Sequence, residues 1–299
     1  AEERRDSLVD FLTDAVVGMC RSLRAFYTED YMAIQPLLLE KFCTPNNPPA
    51  DFGTALGAMA ESLNYLHFGG NLPLPAPVPP ERAHLNTLAA DNSAKKLLPV
   101  AAAAVKEREH AQLRRNATFL IGVLFHRSSP ASVAWKELPA VLQEALVMTD
   151  REKEDEASVA DNAAGCLARI LIAPGFPWNE VNFADVLAAT VRAIPLESDV
   201  SETFAVARAV VAVAGRGEAG EKAMERTAAK SAEALARSLL LYGDRSREVA
   251  DAMVEPSEQE ASSFKELLLE MLRRFGGDLL GHTEFSAEQQ HMLRAILGQ

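Results

Sequence analysis

Gln35-Pro36-Leu37-Leu38-Leu39, Leu98-Pro99-Val100-Ala101 and Leu138-Pro139-Ala140-Val141-Leu142 state one pattern three times: a proline set in an apolar helical stretch. A second apolar helix is predicted after each, over 51–66, 110–126 and 156–172. Pro99 and Pro139 lie 40 residues apart, whereas Pro36 and Pro99 lie 63 apart, and the excess matches a Pro-rich insertion at about 69–91. A period near 40 with two helices per unit is the spacing of HEAT-type repeats. Neither helix of such a pair can bury its apolar face alone, so successive pairs stack into one continuous core. The expected fold is all-α, a single HEAT-repeat superhelical solenoid (an α-α superhelix) of about six helical pairs over 1–299. Such a fold offers long surfaces and seldom a catalytic pocket, so binding is expected rather than enzymatic activity.

Composition agrees. The 299 residues are 48% hydrophobic but only 6% aromatic, and sparse Tyr and Trp beside abundant Ala and Leu favour helix over sheet. No apolar run reaches the ~18–20 residues of a membrane span. Val100–Val105 comes nearest, and Lys106, Glu107 and Arg108 cut it short. Glu2-Glu3-Arg4-Arg5-Asp6 opens a helical segment and no signal peptide is visible. A start without Met, already within the pattern, gives the expectation of a fragment of something longer. Cys20, Cys43 and Cys166 stand far apart among apolar neighbours, which suits reduced, buried thiols of the cytosol or nucleus. The formal net charge of −12 argues against nucleic acid as the main partner, because phosphate would be repelled. It suits a basic partner, and equally a solubility device.

Along the chain, helices are predicted over 3–26, 29–43, 50–67, 92–108, 110–127, 131–148, 153–173, 178–194, 199–214, 218–242, 244–254, 258–275 and 286–297. In the first, Leu8, Phe11, Leu12, Ala15, Val16 and Met19 form one stripe. Within the Pro-rich inserted loop of 69–91, Asn71 to Pro80 reads as polyproline II; Pro77 and Pro80 followed by Arg82 suit either a ligand for an SH3-like domain or a plain inserted loop. Residues 256–299 form divergent C-terminal helices, the last a terminal cap.

Gly215-Arg216-Gly217-Glu218-Ala219-Gly220 is a literal G-x-G-x-x-G after an apolar run. A dinucleotide site needs a strand before it and a parallel sheet around it. The run before it continues a helical repeat from Glu202, so a turn between helices is expected and no cofactor. The six histidines lie far apart, without H-E-x-x-H or Cys-x-x-Cys, and no metal site is expected. No G-x-S-x-G elbow or P-loop occurs, so no catalytic residues are expected. Asn116-Ala117-Thr118 is a glycosylation sequon in mid-helix and is read as silent.

The informative polar residues gather at the second helices. Glu152, Glu154, Asp155, Glu156 and Asp161 precede or open one, and Asp199 and Glu202 open the next. A carboxylate in a first turn complements the helix dipole. Alternatively, second helices line the concave face of a superhelix, where stacked carboxylates would hold Lys and Arg of a partner. Asn116 and Asn162 occupy equivalent places in neighbouring second helices, and an Asn there can clamp an extended peptide or bond one repeat to the next. Asn116, Asp161, Asn162, Asp199 and Glu202 are therefore the candidate cargo-binding residues. Trp135 and Trp178 are expected as packing anchors.

Val159-Ala160-Asp161-Asn162-Ala163-Ala164-Gly165-Cys166-Leu167-Ala168-Arg169-Ile170-Leu171 resembles an inner helix of the importin-β (karyopherin-β) receptors, in the class of importin-4 and importin-5. Phe176-Pro177-Trp178-Asn179-Glu180-Val181 looks like that family's next outer-helix start, and Ile194-Pro195-Leu196-Glu197 through Phe204 like its entry to the following inner helix. Arg114-Arg115-Asn116-Ala117-Thr118-Phe119-Leu120-Ile121-Gly122 is similar to another of its inner helices. The resemblance covers about two thirds of the chain; the Pro-rich insertion and the tail depart from it. It implies a C-terminal, cargo-binding segment of a nuclear import receptor shuttling between cytoplasm and nucleus. Implied partners are cargo proteins with basic nuclear-localisation signals, phenylalanine-glycine nucleoporins at the outer helices, and Ran-GTP, mainly through repeats outside this segment. The rival expectation is a HEAT scaffold subunit that organises a protein complex without shuttling.

Overall fold

The computed structural model describes residues 2–67, 78–151, 156–243, 258–275 and 285–297, and every regular element among them is helical. The chain divides into two compact units, residues 1–145 with 173–176, and 146–172 with 177–299.

In the first unit, α1 (Glu2–Leu23), α3 (Pro49–Tyr65) and α5 (Ala111–Arg127) stack side by side. A short 3-10 turn (Arg24–Tyr27), α2 (Thr28–Phe42) and α4 (Pro80–Ala104) form a second row against them. α3 and α5 bury aliphatic and small residues: Leu56, Met59, Ala60 and Leu63 from α3, with Ala117, Leu120, Val123 and Leu124 from α5. α3 and α5 approach closely. A Cβ at Gly53 would stand 3.0 Å from the Leu113 Cα, which is backbone and cannot swing aside. Glycine there lets dispersion contacts act at short range.

The 63-residue step from Pro36 to Pro99 recurs as hydrogen bonds between α5 and α3. Asn116 Nδ2 donates to the Gly53 carbonyl at 2.8 Å, and Arg127 donates to Asn64 Oδ1 at 2.9 Å, both across 63 residues. The 63-residue step arises differently from the reading above. The Pro-rich insertion does not extend to 91; α4 begins at Pro80 and runs 25 residues, against 15 in α2. Pro80 sits in the first turn, where its missing N–H costs nothing, and Glu81 complements the dipole. Residues 68–77 lie outside the described residues. Pro36 and Pro99 are inside helices on their exposed sides, but Pro139 is not their equivalent. A 3-10 turn over Val133–Glu137 precedes α6 (Leu138–Met148), so Pro139 stands at a helix start.

In the second unit, α7 (Ala157–Ile172), α9 (Glu202–Ala214) and α11 (Ala228–Gly243) make the inner row, and α8 (Phe183–Arg192) and α10 (Gly217–Arg226) the outer one. α12 (Glu258–Phe275) and α13 (Ala287–Leu297) pack against α11. The single helix predicted over 218–242 is two helices. Thr227 leaves helical geometry at φ −122°, donates its hydroxyl to the Ala223 carbonyl and shares a hydrogen bond with Ser231. α10 therefore stacks on α8 and α11 on α9, and the predicted partner at 244–254 lies outside the described residues.

Candidate protein-binding site

The predicted site residues of the second unit come together at one junction, the entry into α9. Asp161, in the second turn of α7, is fully buried. Its Oδ2 accepts the backbone N–H groups of Glu197, Ser198 and Asp199 at 3.0, 2.7 and 3.0 Å. Its Oδ1 pairs with Arg151, which also donates to the Pro195 carbonyl at 2.9 Å and reaches Glu197 at 3.1 Å. A carboxylate accepting three converging amides is a strong, charge-assisted arrangement. It fixes the turn that feeds the next inner helix, whose own N-cap, Ser201, makes no side-chain capping bond.

Asn162 donates to the Ser158 carbonyl at 3.0 Å and to Asp199 Oδ2 at 3.2 Å, while Ser201 donates to Asp199 Oδ1 at 2.5 Å. Glu202 is 4% exposed and meets Arg169 through two parallel bonds, Nη2 to Oε1 at 2.8 Å and Nη1 to Oε2. Burial opposes the Arg169 charge, but the Glu202 carboxylate more than offsets this and holds the guanidinium's pKa above its ordinary value. Gly165 makes room: a Cβ there would fall on the Glu202 carboxylate.

Asp161, Asn162, Asp199 and Glu202 thus join α7 to the start of α9, and Asn116, in the first unit, joins α5 back to α3. The two asparagines both make repeat-to-repeat bonds, in opposite directions along the chain. Their hydrogen bonds are made within the chain, and Asp161, Asn162 and Glu202 present less than 5% of their surface. Glu152, Glu154 and Asp155 lie outside the described residues. What sequence reading missed was the pair of arginines. Arg169 carried the signal, a lone cation on the apolar face of α7 among Leu167, Ile170 and Leu171, which only a buried anion makes tolerable.

A concavity with an apolar floor lies in the first unit. It is a groove of about 550 Å³ where the turn between α2 and α3 faces the end of α4 and the start of α5. Phe52, Pro45, Pro99, Val100 and Leu113 supply its apolar lining, and Glu107 and His110 add polar groups. A groove of this make-up takes an aromatic or aliphatic side chain from a partner, with an acidic residue at hand for an adjacent cation.

The glycine-rich turn has a packing explanation. Gly217 has φ +63°, and a Cβ on Gly220 would strike the Val213 carbonyl, so the two glycines let α10 fold back across the end of α9. Arg216 lies over the Trp178 ring at 4.1 Å, and Trp178 meets Phe183 edge to face at 5.4 Å. Trp135 packs edge to face on Phe125 at 5.0 Å and donates its indole N–H to the Ser129 carbonyl. Burial pushes the thiols of Cys20, Cys43 and Cys166 each up to about 12, and all three are free. Among the described residues no group of His, Cys, Asp and Glu is placed to hold a metal ion, and no helix is long and apolar enough to cross a membrane.

The chain matches no protein-family profile and no curated protein sequence.

Proposed function

We propose that this chain is a protein-binding segment of an importin-β-type nuclear import receptor, built of HEAT repeats, which carries cargo through the nuclear pore under Ran control. The observation that carries the reading is the Asp161 junction. The Asp-Asn-Ala-Ala-Gly run that resembles the family's inner helix is the run that grips the turn into the next inner helix. In this reading the groove of Phe52, Pro99, Val100 and Leu113 receives phenylalanine side chains of nucleoporins, and basic cargo is held by exposed carboxylates such as Glu197.

The test is fluorescence anisotropy of two labelled peptides, one a lysine-rich localisation signal and one a phenylalanine-glycine repeat. Each is titrated at about 50 and about 200 mM salt, across which surface ion pairs weaken measurably. Salt-sensitive binding of the first peptide is expected. Binding of the second is expected to be insensitive to salt and lost in Ala103→Arg, which plugs the groove from its exposed side. Failure of both peptides to bind would overturn the reading. Asp161→Lys and Glu202→Lys are unsuitable probes, because each would bury a cation beside an arginine and report on folding.

One observation favours the rival reading of a HEAT scaffold without shuttling: the carboxylates expected to meet cargo are occupied in structural pairs. Such a scaffold would bind neither peptide and would ignore Ran-GTP.

A further inference from the structure

Two hydroxyl residues of the chain precede a proline, Thr44 before Pro45 and Ser129 before Pro130, and both stand outside the helices. They differ in what the hydroxyl holds. Thr44 Oγ1 accepts from Asn47 Nδ2 at 2.8 Å, inside its own turn. Ser129 reaches a different helix: its hydroxyl donates to Asp91 Oδ2 of α4 at 2.8 Å, and its backbone N–H donates to Asp91 Oδ1 at 2.9 Å. One serine thus engages both oxygens of one carboxylate. The Ser129 carbonyl is engaged as well. It accepts the Ser132 N–H at 3.0 Å, closing a turn with Pro130 in its second position, and the Trp135 indole N–H at 3.0 Å. Trp135 belongs to the 3-10 turn that packs on α4 and α5, and it lies edge to face on Phe125. The tie between α4 and the entry to α6 therefore passes through Ser129. Ser129 and Asp91 are half-buried, while Pro130 and Ala131 are exposed.

We propose that Ser129 is a phosphorylation site for a proline-directed serine/threonine kinase, and that the phosphate unfastens the α5–α6 turn from α4. Such a kinase reads the residue after its acceptor by a missing amide N–H, which only proline supplies. In the reaction the Ser129 oxygen bonds to the γ-phosphorus of MgATP, the bond from that phosphorus to the bridging oxygen breaks, and ADP leaves. The hydroxyl proton passes to the base of the kinase. The product has lost the donor that held Asp91 and carries about two negative charges at neutral pH. It faces the carboxylate that accepted the lost hydrogen bond, so attraction becomes repulsion. The side chain swings out, and the bonds from the Ser129 N–H to Asp91 and from Trp135 to the Ser129 carbonyl loosen with it. Two cations flank the site. Arg127 is engaged by Asn64 of α3, donating to its carbonyl and Oδ1 at 3.2 and 2.9 Å. Lys95, one turn beyond Asp91 on α4, is exposed and competes for the phosphate. The proposal is independent of the transport reading.

The folded chain is incubated with MgATP and purified proline-directed kinases of the cyclin-dependent and mitogen-activated classes, and phosphosites are mapped by mass spectrometry. Phosphate at Ser129 is expected, and none at this position in Ser129→Ala. Amide hydrogen exchange over residues 129–135 should then rise several-fold. Trp135 emission, read alone in a Trp178→Phe background, should shift to the red as the indole meets water. Asp91→Asn checks the cause: an amide carries no charge and can donate to phosphate, so phosphorylation in that background should accelerate exchange far less. No phosphate at Ser129 with either kinase, or phosphate confined to Thr44, overturns the site. Phosphate at Ser129 with unchanged or slower exchange overturns the release, slower exchange showing capture by Lys95 or another cation. Equal acceleration in the Asp91→Asn background overturns the role of the carboxylate.

Discussion

Replacing Gly165 by alanine tests the junction between α7 and α9 at its tightest point. Glycine in a helix interior is ordinarily a liability, and Gly→Ala stabilises by about 1 kcal/mol. Here the new methyl would occupy the position of the Glu202 carboxylate and stand 3.0 Å from Arg169 Nη1. The carboxylate can rotate away at small steric cost, but it then abandons a guanidinium whose side chain is 11% exposed. An unpaired buried charge costs about 3–5 kcal/mol. The net expectation is a loss of roughly 2–4 kcal/mol, seen as a fall in Tm on the order of 5–15 °C if the second unit unfolds cooperatively. Thermal and urea denaturation followed by circular dichroism measure it. The decisive comparison is the same substitution in a Glu202→Ala background, where the space is vacant and alanine should be neutral or slightly stabilising. Equal costs in the two backgrounds, or a Gly165→Ala chain as stable as the parent, would refute the reasoning.

Two further outcomes follow from buried groups. Asp161→Ala strands three backbone N–H groups and the Arg151 guanidinium, for an expected loss of about 2–4 kcal/mol; hydrogen exchange at residues 197–199 should accelerate, and unchanged protection there would count against the junction. Burial pushes the His67 imidazole down to about 3, with Arg127 adding to the effect, and its Nε2 has no hydrogen-bond partner. The folded chain therefore keeps the ring neutral while the unfolded chain protonates near 6.5, so the unfolded state binds more protons between those values. Stability falls as pH drops from about 6.5 toward 3, by up to about 1.4 kcal/mol per unit from this residue alone. His67→Leu should make the loss over pH 6 to 4 shallower, and an unchanged slope would show that the ring is already solvated.

The helical class was legible because it depends on local spacing. The stripes of 50–67 and 110–127, the breaks at Pro45–Pro49 and Ser128–Pro130, and the 63-residue step from Pro36 to Pro99 follow from which residues face the same way on a 3.6-residue turn. The helix of 80–91 was hidden by its neighbours. Pro79 and Pro80 read as loop, yet a proline at a first turn begins a helix as readily as several in a row prevent one. The break at Thr227 was hidden too, since alanine on both sides is compatible with one long helix.

What the sequence by itself determined is the all-α character and the identity of the polar residues that interrupt the apolar faces. Only the tertiary structure decided what those polar residues do. A carboxylate at the start of an inner helix can face water, a cargo lysine or a neighbouring turn, and sequence spacing is the same in all three cases. Asp161 and Glu202 became buried links because Arg151 and Arg169, ten and 33 residues away, arrive at hydrogen-bonding distance when α7 and α9 pack. Charge pairing needs positions in space, and those are fixed by helix packing.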